Sequence, residues 1–156
     1  MVDPQASELT AAQSISHYSG EQWEEFVDEL VEGIEVDKGY IHVKRMGGPG
    51  DLGIDIAGFK TTHGLEGSWD CYQCKHYASA LGPAKAWPEI LKVFRAVVAN
   101  ECVMPDAYWF AAPKGIGLRL DKLLSQPTKA KQAFVDWFAA HAPVPTMNAA
   151  ERDQVD

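Results

Sequence analysis

The 156-residue chain is the length of one domain and has room for a real core. Its 46% hydrophobic and 23% charged residues are those of an ordinary globular protein; no apolar run is long enough to span a membrane, and the N-terminal MVDPQASELTAAQS lacks the basic and apolar regions of a secretion signal, so a cytoplasmic protein is expected. The net charge of −8 argues against a nucleic-acid partner until its distribution is read: residues 1–37 hold ten acids and no Lys or Arg, residues 38–95 eight bases against five acids, and residues 96–156 six bases against seven acids, which permits DNA contact without predicting it.

Residues 1–17 and 142–156 are polar or Pro-punctuated and show no sustained period, so they are expected as a leader and a tail around a folded domain at 18–141. Ser19 is a good helix N-cap, with Gln22 in capping-box position. From there Trp23, Phe26, Val27, Leu30, Val31 and Ile34 recur at helical spacing, which predicts an amphipathic helix of about four turns. Three β-like runs follow at 40–45, 52–59 and 69–77, separated by the turn-rich MGGPGD and KTTHGLEG. A second helix is predicted over 84–99, with Trp87, Ile90, Leu91, Phe94, Val97 and Val98 as its apolar face; Pro88 is tolerated near its start. The continuous apolar run at 107–112 reads as a strand covered on both faces, and two helices close the chain at 117–124 and 128–141. The order α-β-β-β-α-β-α-α implies an α/β protein, a three-layer sandwich around a mixed sheet.

The third strand, WDCYQCKHY, supports two incompatible chemistries. Cys71 and Cys74 form a C-x-x-C pair beside His76, a pattern of zinc or thiol redox sites. Strand side chains alternate, however, so residues separated by three positions point to opposite faces. The five His residues show no metal-ligand spacing, and three Cys in a reducing compartment are too few for a disulfide framework, which leaves buried, inert thiols as the simpler reading. Gln73 and Lys75 differ by two and share a face. On the preceding strand Asp55 interrupts an apolar run, where an ionised carboxylate is costly unless paired or bound to a cation. If the two strands are neighbours, Asp55, Gln73 and Lys75 can converge. A carboxylate, an amide oxygen and a backbone carbonyl suit a hard cation such as Mg²⁺, and a nearby ammonium can act on an attacking water or on a charged phosphoryl transition state.

The succession SGEQWEEFVDELV, GDLGID and YQCKHY resembles the PD-(D/E)xK nuclease superfamily, specifically its Mrr-like branch with G-x-D followed by Q-x-K, over residues 18–140. It is similar to N-terminal double-stranded-DNA endonuclease domains of multidomain bacterial antiphage proteins. The resemblance implies a restriction-endonuclease-like fold and a Mg²⁺-dependent DNA endonuclease, with Mn²⁺ able to substitute. It further implies an effector module of a larger defence protein, acting as a homo-oligomer or beside other domains. By that resemblance Asp55 is the metal-binding carboxylate, Gln73 a neutral ligand where other members carry Glu or Asp, and Cys74 a ligand through its backbone carbonyl. Lys75 acts on the water or the scissile phosphate. The first helix supplies a further acid: Glu24 borders its apolar face, whereas Glu25 and Glu29 project towards water, so Glu24 is the candidate. Asp51 either assists or caps the glycine-rich turn. Lys85, Lys92 and Arg95 along the second helix, interrupted by Glu89, and Lys114 in PKGIG could meet phosphates or form a solvated face. The alternative function is a catalytically silent module that keeps the nuclease fold for protein or nucleic-acid binding.

Overall fold

The computed structural model describes residues 10–48, 50 and 52–141. Asp51 and the expected tail at 142–156 lie outside the described residues, as does most of the expected leader. The chain is mixed α/β, with one four-stranded mixed sheet and, among the described residues, six α-helices. It divides into two compact units, one ending at Asp121 and the other beginning at Lys122. No helix among the described residues is long and apolar enough to cross a membrane.

Helix α1 (Ala11–Ser16) occupies what the sequence suggested was irregular leader. Its cause is local: the Thr10 side chain caps the Gln13 amide and Gln13 reaches back to Thr10, a full capping box. The same device starts α2 (Gly20–Gly33) at Ser19 and Gln22. Helix α2 buries Trp23, Val27 and Val31, each worth roughly 1.5–3 kcal/mol if fully removed from water. Leu30, expected on that face, is exposed. A short α3 (Glu35–Lys38) ends at Gly39 and leads into the sheet.

Strands β1 (His42–Arg45), β2 (Ile56–Phe59) and β3 (Trp69–Cys74) form an antiparallel meander. Helix α4 (Pro83–Val98) then carries the chain to β4 (Ala107–Ala111), which pairs with β3 in parallel. The sheet order is β1-β2-β3-β4. Alternation splits the core into two clusters. Ile56, Tyr72, Cys74 and Val43 pack with α2, while Ala57, Phe59, Trp69 and Cys71 pack with Val93 and Ala96 of α4. The sheet therefore lies between α2 and α4. The Trp23 indole N–H donates to the Ala111 carbonyl at 3.0 Å, fastening α2 across the sheet to β4.

Three expectations need correction. First, β4 is the terminal strand in the sheet order rather than a strand covered on both faces, and Trp109 is 45% exposed, stacked on Tyr72 with the Lys38 ammonium 4.8 Å from its ring centre. Second, Asp55 precedes the regular part of β2, because the chain enters through a left-handed turn at Leu52 (φ 58°) and Gly53 (φ 73°). Its carbonyl still accepts from the Met46 amide at 2.7 Å, so Asp55 occupies a last rung of the β1–β2 ladder. Third, α4 buries Ala86, Trp87, Glu89, Val93 and Ala96, while Phe94 and Val98 are exposed, Val98 at 83%. The packed face is thus rotated from the one the large apolar residues suggested. Small residues at 86 and 96 let the helix approach the sheet, and the rotation carries a carboxylate inward.

A buried polar network supports the far end of the sheet. The Tyr40 hydroxyl donates to Asp70 at 2.7 Å and meets the Tyr72 hydroxyl at 2.7 Å, while Lys60 donates to the other Asp70 oxygen at 2.7 Å. Burial first, then the Asp70 bond, raises the Tyr40 hydroxyl pKa, so it stays protonated. Tyr40 lies flat against Gly58, where an added Cβ would meet its ring at 2.6 Å. In the unit beginning at Lys122, α6 (Pro127–His141) carries Phe134, Trp137 and His141 at helical spacing; Trp137 stacks on His141 and meets the Phe134 ring at a tilt of 33°. The short α5 (Leu118–Leu124) runs across the boundary between the units.

The turn at Gly53 is doubly constrained, by its positive φ and by the Lys92 Cβ, which an added Cβ would approach to 2.5 Å. Gly53→Ala is therefore expected to lower stability by about 1–3 kcal/mol in urea denaturation. Gly47→Ala, with nothing within 4 Å of the added Cβ, should change it by less than about 0.5 kcal/mol. Equal losses at the two positions would refute this account of the turn.

Candidate functional site

Register brings the two central strands into the arrangement from which the site is built. Ile56 pairs with Tyr72 and Ala57 with Cys71, so the residue entering β2 falls opposite the end of β3. There one oxygen of Asp55, Oδ2, accepts from the Gln73 side-chain amide at 2.6 Å and from the Cys74 backbone amide at 2.6 Å. Two donors on one carboxylate oxygen fix its orientation. Gln73 is 2% exposed, and with its nitrogen committed to Asp55 its carbonyl oxygen Oε1 is buried without a hydrogen-bond partner. An unmatched buried acceptor costs about 1–3 kcal/mol.

Lys75 follows β3 directly, and its amide donates to the Ala111 carbonyl at 2.9 Å, which continues the ladder with β4. Its side chain shares the α4 face with Gln73, and its ammonium lies 3.2 Å from Glu89 Oε2 on α4. Lys92 donates to the same oxygen at 3.0 Å. Glu89 was read from the sequence only as an interruption of a basic stripe. The signal that could have revealed it is the spacing of Ala86, Glu89, Val93 and Ala96, one face of a helix whose small residues permit close packing.

Glu24 stands on α2, on the other side of the sheet, half-exposed and ion-paired with Arg45 at 2.9 Å. Structure thus brings Asp55 and Gln73 into contact and puts Lys75 on their face, but engages Glu24 with a different partner. On the α4 side, the Tyr108 hydroxyl is buried without a hydrogen-bond partner and feels Cys71, Glu89 and Asp55. Of the further basic candidates, Lys85 lies 4.2 Å from the ring centre of Tyr77, and Arg95 lines a shallow depression with Leu52, Gly53 and Lys92. Lys114 is exposed in the turn after β4.

The two cysteines of the C-x-x-C pair lie in different core clusters on opposite faces of the sheet. Among the described residues, no group of three or more His, Cys, Asp and Glu side chains is gathered as a metal site. The donor set at Asp55 has a different character, one carboxylate with an amide oxygen. That orphaned Gln73 oxygen, buried beside the Asp55 carboxylate, fits a hard cation better than it fits an empty core. Comparison with known family models, with curated proteins and with solved structures finds no match.

Burial, reinforced by Asp55 and Glu24, pushes the Cys74 thiol up to about 12, and burial likewise raises Cys71. A folded-state pKa above the usual value near 9 contributes stability that is complete below that value and lost as pH climbs through the raised one. Both residues should therefore resist a disulfide-exchange reagent in native protein at pH 8 and react on unfolding. The urea midpoint should also fall between pH 9 and about 12. Rapid native-state labelling at pH 8 would contradict their burial as neutral thiols.

Proposed function

We propose that the chain is a divalent-cation-dependent DNA endonuclease domain of the PD-(D/E)xK type with an Mrr-like Q-x-K motif. The observation that carries this reading is the Asp55–Gln73 pair with the unpartnered Gln73 oxygen, accompanied on the same face by Lys75. Asp55 supplies the negative charge, Gln73 a neutral oxygen and Cys74 its backbone carbonyl; these three would hold Mg²⁺, or Mn²⁺ in its place. When bound, the cation supplies Lewis-acid polarisation of a phosphate oxygen and offsets charge in the transition state.

The chain's own residues account for the remainder. Asp55 is pre-oriented by the Gln73 and Cys74 donors, so no conformational search precedes binding. Lys75 presents an ammonium that can position the attacking water and counter charge on the phosphoryl group. Hydrolysis joins the water oxygen to phosphorus and breaks one ester bond, with the leaving oxygen taking a proton. Glu24 joins such a site only by exchanging its Arg45 partner, which makes it the conditional member of the set. Lys85, Lys92, Arg95 and Lys114 are the candidate phosphate contacts on double-stranded DNA. The overall charge of −8 makes unaided affinity for DNA weak, and in this reading the chain works as an effector module of a larger antiphage protein or as a homo-oligomer, as the Mrr-like resemblance implies.

A second reading, a nuclease fold kept for binding alone, is favoured by the neutral Gln73 and by the engagement of Glu24 with Arg45. The two readings separate on supercoiled plasmid at high protein concentration with Mg²⁺ or Mn²⁺. Wild type is expected to nick and linearise the plasmid, with Asp55→Ala and Lys75→Ala slower by at least about 100-fold. Equal cleavage by all three removes these residues from the chemistry, and DNA binding without cleavage, unchanged in Asp55→Ala, establishes the silent module.

A further inference from the structure

Helix α4 packs Ala86, Glu89, Val93 and Ala96 towards the sheet, and Glu89 is the charged member of that row. Its side chain is 12% exposed, a position a carboxylate holds at a cost of several kcal/mol unless it is paired. The pairing is unequal. Lys92 is one helical turn away and 53% exposed, so its bond to Glu89 is the kind of local surface pair worth about 0–1 kcal/mol. Lys75 is 17% exposed and follows the end of β3, so its 3.2 Å ion pair with Glu89 links the end of the strand to the helix at the candidate site.

A lysine carries its charge on a flexible four-carbon stem, and at the end of a strand the ammonium would otherwise extend towards water. Glu89 opposes that. Strand parity puts Lys75 on the α4 face with Gln73, and the Gln73 side-chain amide donates to Asp55 at 2.6 Å. The lysine is thereby held on the face that carries Asp55 and Gln73.

We propose that Glu89 is a positioning residue of the site: its Oε2 fixes the Lys75 ammonium on the Asp55–Gln73 face, and it acts on the reaction through Lys75 rather than on DNA or cation. The proposal rests on the nuclease reading for its catalytic consequence. Glu89→Gln, which keeps shape and removes charge, should lower kcat by about 10- to 100-fold. KM for plasmid DNA and affinity for Mn²⁺ should stay unchanged, a split that general loosening of the fold would not produce. Adding Glu89→Gln to Lys75→Ala should cost nothing further. Independently of activity, acylation of Lys75 in the DNA-free, metal-free protein, followed by peptide mass spectrometry, should be faster in Glu89→Gln than in wild type.

If circular dichroism shows Glu89→Gln unfolded, Glu89→Asp carries the test. It keeps the charge but shortens the reach, and should show a reduced kcat with unchanged KM; wild-type kcat in that variant then overturns the proposal. Where Glu89→Gln folds, a cleaving wild type with undiminished kcat in Glu89→Gln overturns the role of Glu89 and leaves the nuclease reading intact. A wild type that neither cleaves DNA nor binds Mn²⁺ overturns both.

Discussion

A single carboxylate oxygen joins the two central strands at the point where their chemistry meets. Asp55 enters β2 through a left-handed turn, and its Oδ2 takes the Gln73 amide and the Cys74 backbone amide together. Gly53, with no Cβ, permits both the left-handed turn and the close approach of the Lys92 Cβ, so the packing of α4 on the turn is coupled to the entry of Asp55 into β2. Committing the Gln73 nitrogen to Asp55 leaves the Gln73 oxygen buried and unmatched. Among the described residues Asp28 Oδ1 and the Tyr108 hydroxyl are likewise buried without a partner, but the Gln73 oxygen is the one that adjoins the Asp55 carboxylate.

The same helix governs the second half of the site. Rotated so that Ala86 and Ala96 face the sheet, α4 brings Glu89 to Lys75 and leaves Phe94 and Val98 in water. Exposing large apolar side chains is unfavourable by the area rule, yet close backbone approach needs small residues, and here approach prevails. On the opposite face, α2 is anchored by Trp23 to β4 and sets Glu24 against Arg45. The two helices therefore present opposite situations: one carboxylate organises a lysine of the candidate site, the other is neutralised by an arginine of an edge strand.

Much of this was legible from residue spacing. The order of the four strands with α2, α4, α5 and α6, the amphipathic α2 with its capping box, and the separation of Cys71 from Cys74 follow from helical period and strand parity, which are backbone properties, whereas the short α1 and α3 were not foreseen. The contact between Asp55 and Gln73 was legible as a condition, requiring only that the second and third strands be neighbours. What failed depended on tertiary packing. Ranking residues by size found Trp87 and Val97 but misplaced Phe94 and Val98 on α4, because a run of helix with both large apolar and small residues offers two faces and only the sheet decides between them. Glu24 was placed correctly at the border of α2, half-exposed, but Arg45 as its partner lies on a strand whose register no local pattern reveals. Helix α1 escaped because six residues carry too little periodicity, although Thr10 and Gln13 spelled out its cap.

Charge makes the cation the pivotal element of the functional account. With a neutral Gln73 beside it, Asp55 is the residue from which the proposed cation site would take its negative charge. Calorimetric titration of Mn²⁺ into wild type and Gln73→Glu, side by side, tests that dependence most directly. The account predicts single-site uptake by wild type and tighter uptake by Gln73→Glu, whose added carboxylate replaces the orphaned amide oxygen with a charged ligand. Absence of Mn²⁺ uptake by either protein would contradict it.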